Sequence, residues 1–245
     1  MITESVFTEK LLHVLELNKL TEFAKSETIH KLFLLTERML EVNEHMNLTA
    51  ITDIDGIILK HYADSLTASP YIDSGCSVID VGCGAGFPSL VLAIARPDIN
   101  VTALDSTAKR ISYIKETAEM LDIPNITCVA ARAEDIANLP DHREHYDISC
   151  ARAVARLNVL CELCIPFVKP GGKFIAMKAN ADDELKEASN AIKVLGGKLQ
   201  SDDRISLISD SSAEENPRRI ICVKKMCETP KNYPRNNSQI KKKPL

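Results

Sequence analysis

The chain has 245 residues, 45% of them hydrophobic and 4% aromatic, and carries a formal net charge of −4 at pH 7. That length and apolar content allow one sizeable core with a small extra subdomain, and no apolar run approaches the roughly 18 to 20 residues of a membrane span. The opening Met1-Ile2-Thr3-Glu4 lacks the basic and apolar regions of a signal peptide, so a cytoplasmic protein with no membrane partner is expected.

Residues 5–70 read as helices. Phe7, Leu11, Val14 and Leu15 recur at helical spacing, as do Ile29, Leu32, Phe33, Thr36 and Leu40, and both stripes are expected to face a core. The spacing predicts an N-terminal helical extension over 1–70. From Ser77 onward strands and helices alternate, which implies a mostly parallel sheet with helices on both faces.

The first strand, 77–81, runs into a loop with glycine at every second position: Val78-Ile79-Asp80-Val81-Gly82-Cys83-Gly84-Ala85-Gly86-Phe87-Pro88. Such glycines let the backbone turn at positive φ and come close to a ligand, while the helix expected over 88–96 aims free N–H groups at the same place. A dinucleotide fingerprint needs a small residue where this chain has Phe87, which weakens an NAD reading. The pattern resembles instead the first motif of class I S-adenosylmethionine-dependent methyltransferases. Gly82, Gly84, Gly86 and Phe87 are then cofactor-binding candidates, and Asp80 is a candidate to receive the cofactor's ammonium group directly or through water.

The second strand, 100–104, ends in Asp105, whose carboxylate suits two vicinal ribose hydroxyls. As an alternative, Asp105 starts the helix expected over 107–121. After a third strand, 126–130, come Arg132, Ala133 and Glu134, where methyltransferases of this class contact the adenine edge. A fourth strand is expected over 146–150 and a helix near 156–165. Lys169-Pro170-Gly171-Gly172 signals a turn before strand 173–177. A helix over 182–195, ended by Gly196-Gly197, and strands near 203–208 and 219–224 complete a seven-stranded sheet whose last strand is antiparallel. The methyltransferase core is thus expected over 71–227.

Eight cysteines lie mostly on expected strands and a helix, and read as reduced core residues. Cys161-x-x-Cys164 has no second CxxC or histidine pair beside it, so no metal site is expected. From Arg218 to Leu245 the chain has nine Lys or Arg and one acid, Glu228, leaving the remainder at −12. Residues 228–245 read as a flexible basic tail suited to RNA phosphate.

Taken together, these motifs resemble the RsmG, or GidB, family of bacterial ribosomal RNA methyltransferases. The resemblance runs nearly end to end. It includes Asn47-Leu48-Thr49, His61-x-x-Asp64-Ser65, the glycine loop with Phe87-Pro88, Leu104-Asp105-Ser106 with Lys109-Arg110, Arg132-Ala133-Glu134 and Ala151-Arg152-Ala153-Val154-Ala155. Lys169-Pro170-Gly171-Gly172, Tyr233-Pro234-Arg235 and Lys243-Pro244-Leu245 complete it. Ser89 departs from it, standing where many members have glycine.

The resemblance implies an α/β Rossmann-like class I fold, S-adenosylmethionine as cofactor, and a monomer acting on 16S ribosomal RNA of the small ribosomal subunit. The implied reaction is methylation of N7 of a guanine in the 530 loop. It implies cofactor contacts from Gly82, Phe87, Ala133, Glu134 and Arg152, and places Arg132, Arg152, Lys178 and Arg218 at the methyl-transfer centre or on the RNA. Arg218 is preferred to Arg219 on the family's spacing. Guanine N7 has an in-plane lone pair and no proton to lose, so no general base is needed and catalysis should be positioning. His61 is accordingly expected to make a structural hydrogen bond over the pocket, and Asn47 to close it similarly. An RNA-binding protein that kept the fold without the activity is the alternative, and the intact Gly82, Gly84, Gly86 and Asp105 argue against it.

Overall fold

A computed structural model describes residues 2–152, 155–179, 181–209 and 216–245. Of the motifs above, Ala153 and Val154 lie outside the described residues.

The chain opens with α1 (Glu4–Leu17) and α2 (Ser26–Met46), followed by α3 (Ile54–Ile57), a π-helical turn at Ile58–Ala63 and α4 (Asp64–Leu66). Phe7, Leu11, Val14 and Leu15 are buried as their spacing predicts, and so are Ile29, Leu32, Phe33 and Thr36, while Leu40 is half-buried. Asn47 ends α2 in the left-handed conformation. These helices share one apolar core with a face of the sheet that follows, so the extension is packed into the fold.

That sheet and its helices follow in the order β1 (Ser77–Val81), α5 (Ser89–Ala95), β2 (Asn100–Asp105), α6 (Ala108–Met120), β3 (Ile126–Ala130), α7 (Ala133–Ile136), β4 (Tyr146–Arg152) and α8 (Leu157–Cys164). Then come β5 (Val168–Lys178), α9 (Asp182–Glu187), α10 (Ser189–Val194), β6 (Gly197–Leu207), β7 (Asn216–Lys225) and α11 (Asn237–Lys242). The seven strands lie in the order β3-β2-β1-β4-β5-β7-β6. β7 runs antiparallel to both neighbours, as expected of the last strand, and the other pairs are parallel. Successive strand residues serve opposite faces: Val78, Val101 and Ala103 join the core under the N-terminal helices, and Ile79, Val81 and Leu104 join the core under α8 and α10. The order in which strands are added reverses between the parallel neighbours β1 and β4, and open α/β sheets bind ligands at such a point, beyond the carboxyl ends of their strands.

The structure corrects the sequence reading in four places. The expected turn at Lys169–Gly172 is an irregularity inside β5: from the pair Tyr146–Val168 to the pair Ile148–Lys173, β4 advances two residues and β5 five. Gly172 makes that passage possible, since a Cβ there would lie 2.3 Å from the Asp147 carbonyl. The helix expected over 182–195 is divided at Ala188. β6 starts at Gly197, well before 203, because an edge strand with one solvated face reads as polar chain.

The fourth correction concerns residues 228–245, which lie against the core although they read as a flexible arm. Arg143 donates to the carbonyls of Tyr233 and Thr229 at 2.8 and 2.7 Å, and the Thr229 N–H donates to Glu144 at 2.6 Å. Arg235 donates from its backbone N and Nε to Glu162 Oε1, each at 2.8 Å, and from Nη2 to Oε2 at 2.6 Å. Ile240 of α11 is buried.

Candidate active site

A cavity of about 870 Å³ opens at the carboxyl ends of the strands, walled by the loops after β1, β2, β3 and β5 and roofed by residues 48–64. The glycine loop forms its floor. Gly82 and Gly84 line it, both at positive φ, and a Cβ built on Gly84 would meet nothing nearer than the Gly82 carbonyl at 4.0 Å, so a side chain there would take up cavity space. Gly86 stands behind the wall with a different duty: at φ +91°, its missing Cβ would sit 2.5 Å from Leu90 Cδ1, so glycine lets the loop close on α5.

Asp80 also lies behind the wall. It is fully buried, and its Oδ2 accepts from the Ser89 N–H at 3.0 Å, which fixes the start of α5. Burial pushes the carboxyl up to about 7, opposed by the Ser89 hydrogen bonds and the Arg152 charge. Ser89, the departure from the family pattern, is thus the first residue of an intact helix.

Asp105 ends β2 on the cavity wall and also holds the backbone just before α6. Its Oδ2 accepts from the Gly84 N–H at 3.1 Å and its Oδ1 from the Thr107 N–H at 2.8 Å, while the carboxylate lines the cavity with Arg110 Nη1 3.8 Å away. Ala133 and the buried Glu134 line the same end, with Arg132 Nη1 3.9 Å from Glu134 Oε1.

At the other end, Phe87 carries a stack. The His61 ring lies parallel to it at 4.3 Å, and the Arg152 guanidinium sits 5.4 Å from its centroid. His61 Nε2 is 2.9 Å from Thr49 Oγ1, the structural hydrogen bond expected over the pocket. Burial first, then the Arg152 charge, lowers its pKa to about 4, against a backbone hydrogen bond to Lys60. Asn47 is not on the wall; Leu48 and Thr49 are, and Asn43 holds Thr49 through two backbone hydrogen bonds.

The four basic candidates differ in their surroundings. Arg132 is exposed at 58% of its side chain. Arg152 and Arg218 are largely buried, and both pair with Asp64. Lys178 lines the cavity but donates to the Ala155 carbonyl at 2.7 Å and pairs with Glu184 at 2.9 Å, so it ties the end of β5 to α9. Arg219 is held by Asp202 and Asp182, away from the wall, whereas Arg218 lines it. Sequence reasoning singled out Asp64 without seeing its two arginines, and it missed Asn237, which the docked tail brings to the cavity wall. The Tyr233-Pro234-Arg235 motif was the available signal for that docking.

The model for rRNA small subunit methyltransferase G matches residues 28–206. The chain belongs to the GidB family. A relative from Acetivibrio thermocellus called ribosomal RNA small subunit methyltransferase G is 46% identical over 221 residues, covering 89% of each chain. One of the same name from Lactobacillus acidophilus is 42% identical over 237 residues, covering 95% of this chain and 97% of the relative. Among solved structures, M. jannaschii TYW2 in complex with AdoMet aligns with a TM-score of 0.54 at 13% identity, covering 72% of this chain and 80% of that one. Precorrin-6y C5,15-methyltransferase from Geobacter metallireducens aligns with a TM-score of 0.51 at 18% identity, covering 74% and 91%. The fold is that of class I S-adenosylmethionine-dependent methyltransferases, and S-adenosylmethionine is the family's cofactor. The residues present fit it: the side-chain-free floor at Gly84 and two sheltered carboxylates, Asp105 and Glu134, meet the needs of a hydroxyl-bearing ribose and an adenine edge.

Proposed function

We propose that this protein transfers a methyl group from S-adenosylmethionine to N7 of a guanine in 16S ribosomal RNA, in the 530 loop of the small ribosomal subunit, acting as a monomer in the cytoplasm. The observation that carries this reading is a cofactor-type pocket bordered, among the described residues, by Arg110, Arg132, Arg152 and Arg218, in a member of the ribosomal RNA methyltransferase G family. When bound, the cofactor supplies an electrophilic methyl group on a sulfonium.

The chain's own residues divide the work. Asp105, Glu134 and Ala133, with the backbone of Gly82 and Gly84, hold the cofactor; Asp80 and Gly86 support that loop from behind. Guanine N7 has no proton to remove. His61, neutral at pH 7 and stacked on Phe87, therefore acts as a wall, and Asp64 is engaged by two arginines. Positioning can supply on the order of 7 to 11 kcal/mol of the barrier when reacting atoms are held in line. Arg132 is exposed enough to take an RNA phosphate, Arg152 and Arg218 border the acceptor, and Lys178 keeps β5 and α9 in place around it.

The acceptor atom is tested by replacing the target guanine with 7-deazaguanine in the RNA. The reading predicts methyl transfer to the guanine RNA and none to the 7-deaza RNA. Transfer to both would move the acceptor away from N7.

A further inference from the structure

Asp64 is a single carboxylate shared by two arginines that the sheet does not bring together. Arg152 ends β4 and Arg218 lies early in β7, with β5 between those strands. Arg152 Nη1 donates to Asp64 Oδ2 at 2.9 Å and Arg218 Nε to Asp64 Oδ1 at 2.7 Å, and the carboxylate is 8% exposed. Arg152 has other holds: the Lys60 carbonyl at 2.8 Å, His61 Nδ1 at 3.4 Å and the face of Phe87. Arg218 has the Pro217 carbonyl at 2.9 Å. Without Asp64, two guanidiniums would share a partly desolvated wall with their charges opposed.

We propose that Asp64, delivered by the N-terminal helical extension, is a positioning residue for methyl transfer: it clamps Arg152 and Arg218 in one geometry at the acceptor end of the cavity and halves their combined charge there. This rests on the guanine-N7 reading, because methylated guanine is a cation and two unneutralised arginines beside it would oppose its formation. Two functions meet in one carboxylate. It orients the forks that border the acceptor, and it lowers the positive potential where positive charge develops.

Asp64→Asn keeps the size of the side chain and removes its charge. Its kcat for methyl transfer to unmodified ribosomal RNA is expected to fall about tenfold to a hundredfold, the scale of a small misplacement at the reacting centre. Its affinity for S-adenosylmethionine, read by calorimetry, should change less than about threefold, since Arg152 keeps Lys60 and Phe87. Asp64→Glu restores the charge and should recover part of the lost kcat. Combining Asp64→Asn with Arg218→Gln should cost less than the product of the two single effects, because both residues act as one unit. Wild-type kcat in Asp64→Asn, or a Glu variant no better than Asn, or multiplicative single effects, would overturn the proposal. If Asp64→Asn does not fold, Arg218→Gln carries the test: a lower kcat with unchanged cofactor affinity is expected, and wild-type turnover would overturn it. Wild-type enzyme in the same assay separates the two ideas, since failure of the wild type to make N7-methylguanine sinks the functional reading.

Discussion

His61 stands where a base would be sought and titrates too low to be one, while Asp80, behind the glycine loop, titrates too high for a solvated carboxylate. Their contributions to stability have opposite signs. His61 is lowered from 6.5 to about 4, so the unfolded chain takes up its proton first and stability is lost as pH falls from about 6.5 towards 4. Asp80 is raised from 3.8 to about 7, so its contribution is full below about 4 and is lost as pH rises through 7. Across that shared window the two offset each other in the whole protein, and single variants are needed to separate them. Urea unfolding at pH 5 and pH 8 should show His61→Asn gaining on the wild type at the lower pH and Asp80→Asn gaining at the higher. The opposite trends would contradict the environments assigned to these residues.

At this scale much of the site was legible. The place of Asp105 on the cavity wall could be read because the strand after a glycine loop ends at the carboxyl edge of the sheet. The ion pair of Lys178 could not be read: its partner Glu184 lies on α9, and no local pattern announces that pairing. The choice between Arg218 and Arg219 depended on which strand face meets the cavity. Adjacent strand residues point to opposite faces, and which of the two meets Asp64 and which meets Asp182 and Asp202 is a property of the folded sheet.

Among the elements, the C-terminal segment departs furthest from its composition. Residues 228–245 hold few apolar groups, and the chain compensates with polar anchors, chiefly the fully buried Glu162 under Arg235. Breaking that pair with Glu162→Gln should cost about 2 kcal/mol, less than the roughly 3–5 kcal/mol of a fully buried pair, because Arg235 keeps some access to water. The same change should make the segment after Thr229 open to limited proteolysis while the sheet resists it. Unchanged protection would mean that Arg143 and the burial of Ile240 hold the segment without Glu162. Strands β1, β2 and β4 were legible because buried parallel strands are apolar runs bounded by turns. The irregularity in β5 was not, since Pro170-Gly171-Gly172 is turn chemistry wherever it occurs, and only the close approach to Asp147 shows that the strand continues.

In the whole molecule a pocket where the strand order reverses lies under a helical extension, and a docked tail reaches its rim. The charge is divided accordingly. Residues 218–245 are net basic on an acidic body, so the proposed RNA binding is expected to centre on this region and to weaken with salt through a few phosphate contacts. The mostly parallel seven-stranded sheet with its antiparallel last strand followed from the alternation of elements and the resemblance together, whereas the joining of Asp64 to two arginines from distant strands required the folded chain. The most direct test is methyl transfer from labelled S-adenosylmethionine to unmodified small ribosomal subunits and, separately, to their deproteinised RNA, with the label mapped by cleavage specific for N7-methylguanine. Label at a single guanine N7 of 16S ribosomal RNA is the predicted result. Label on another atom or another RNA, or none on either form while the cofactor still binds, would contradict it.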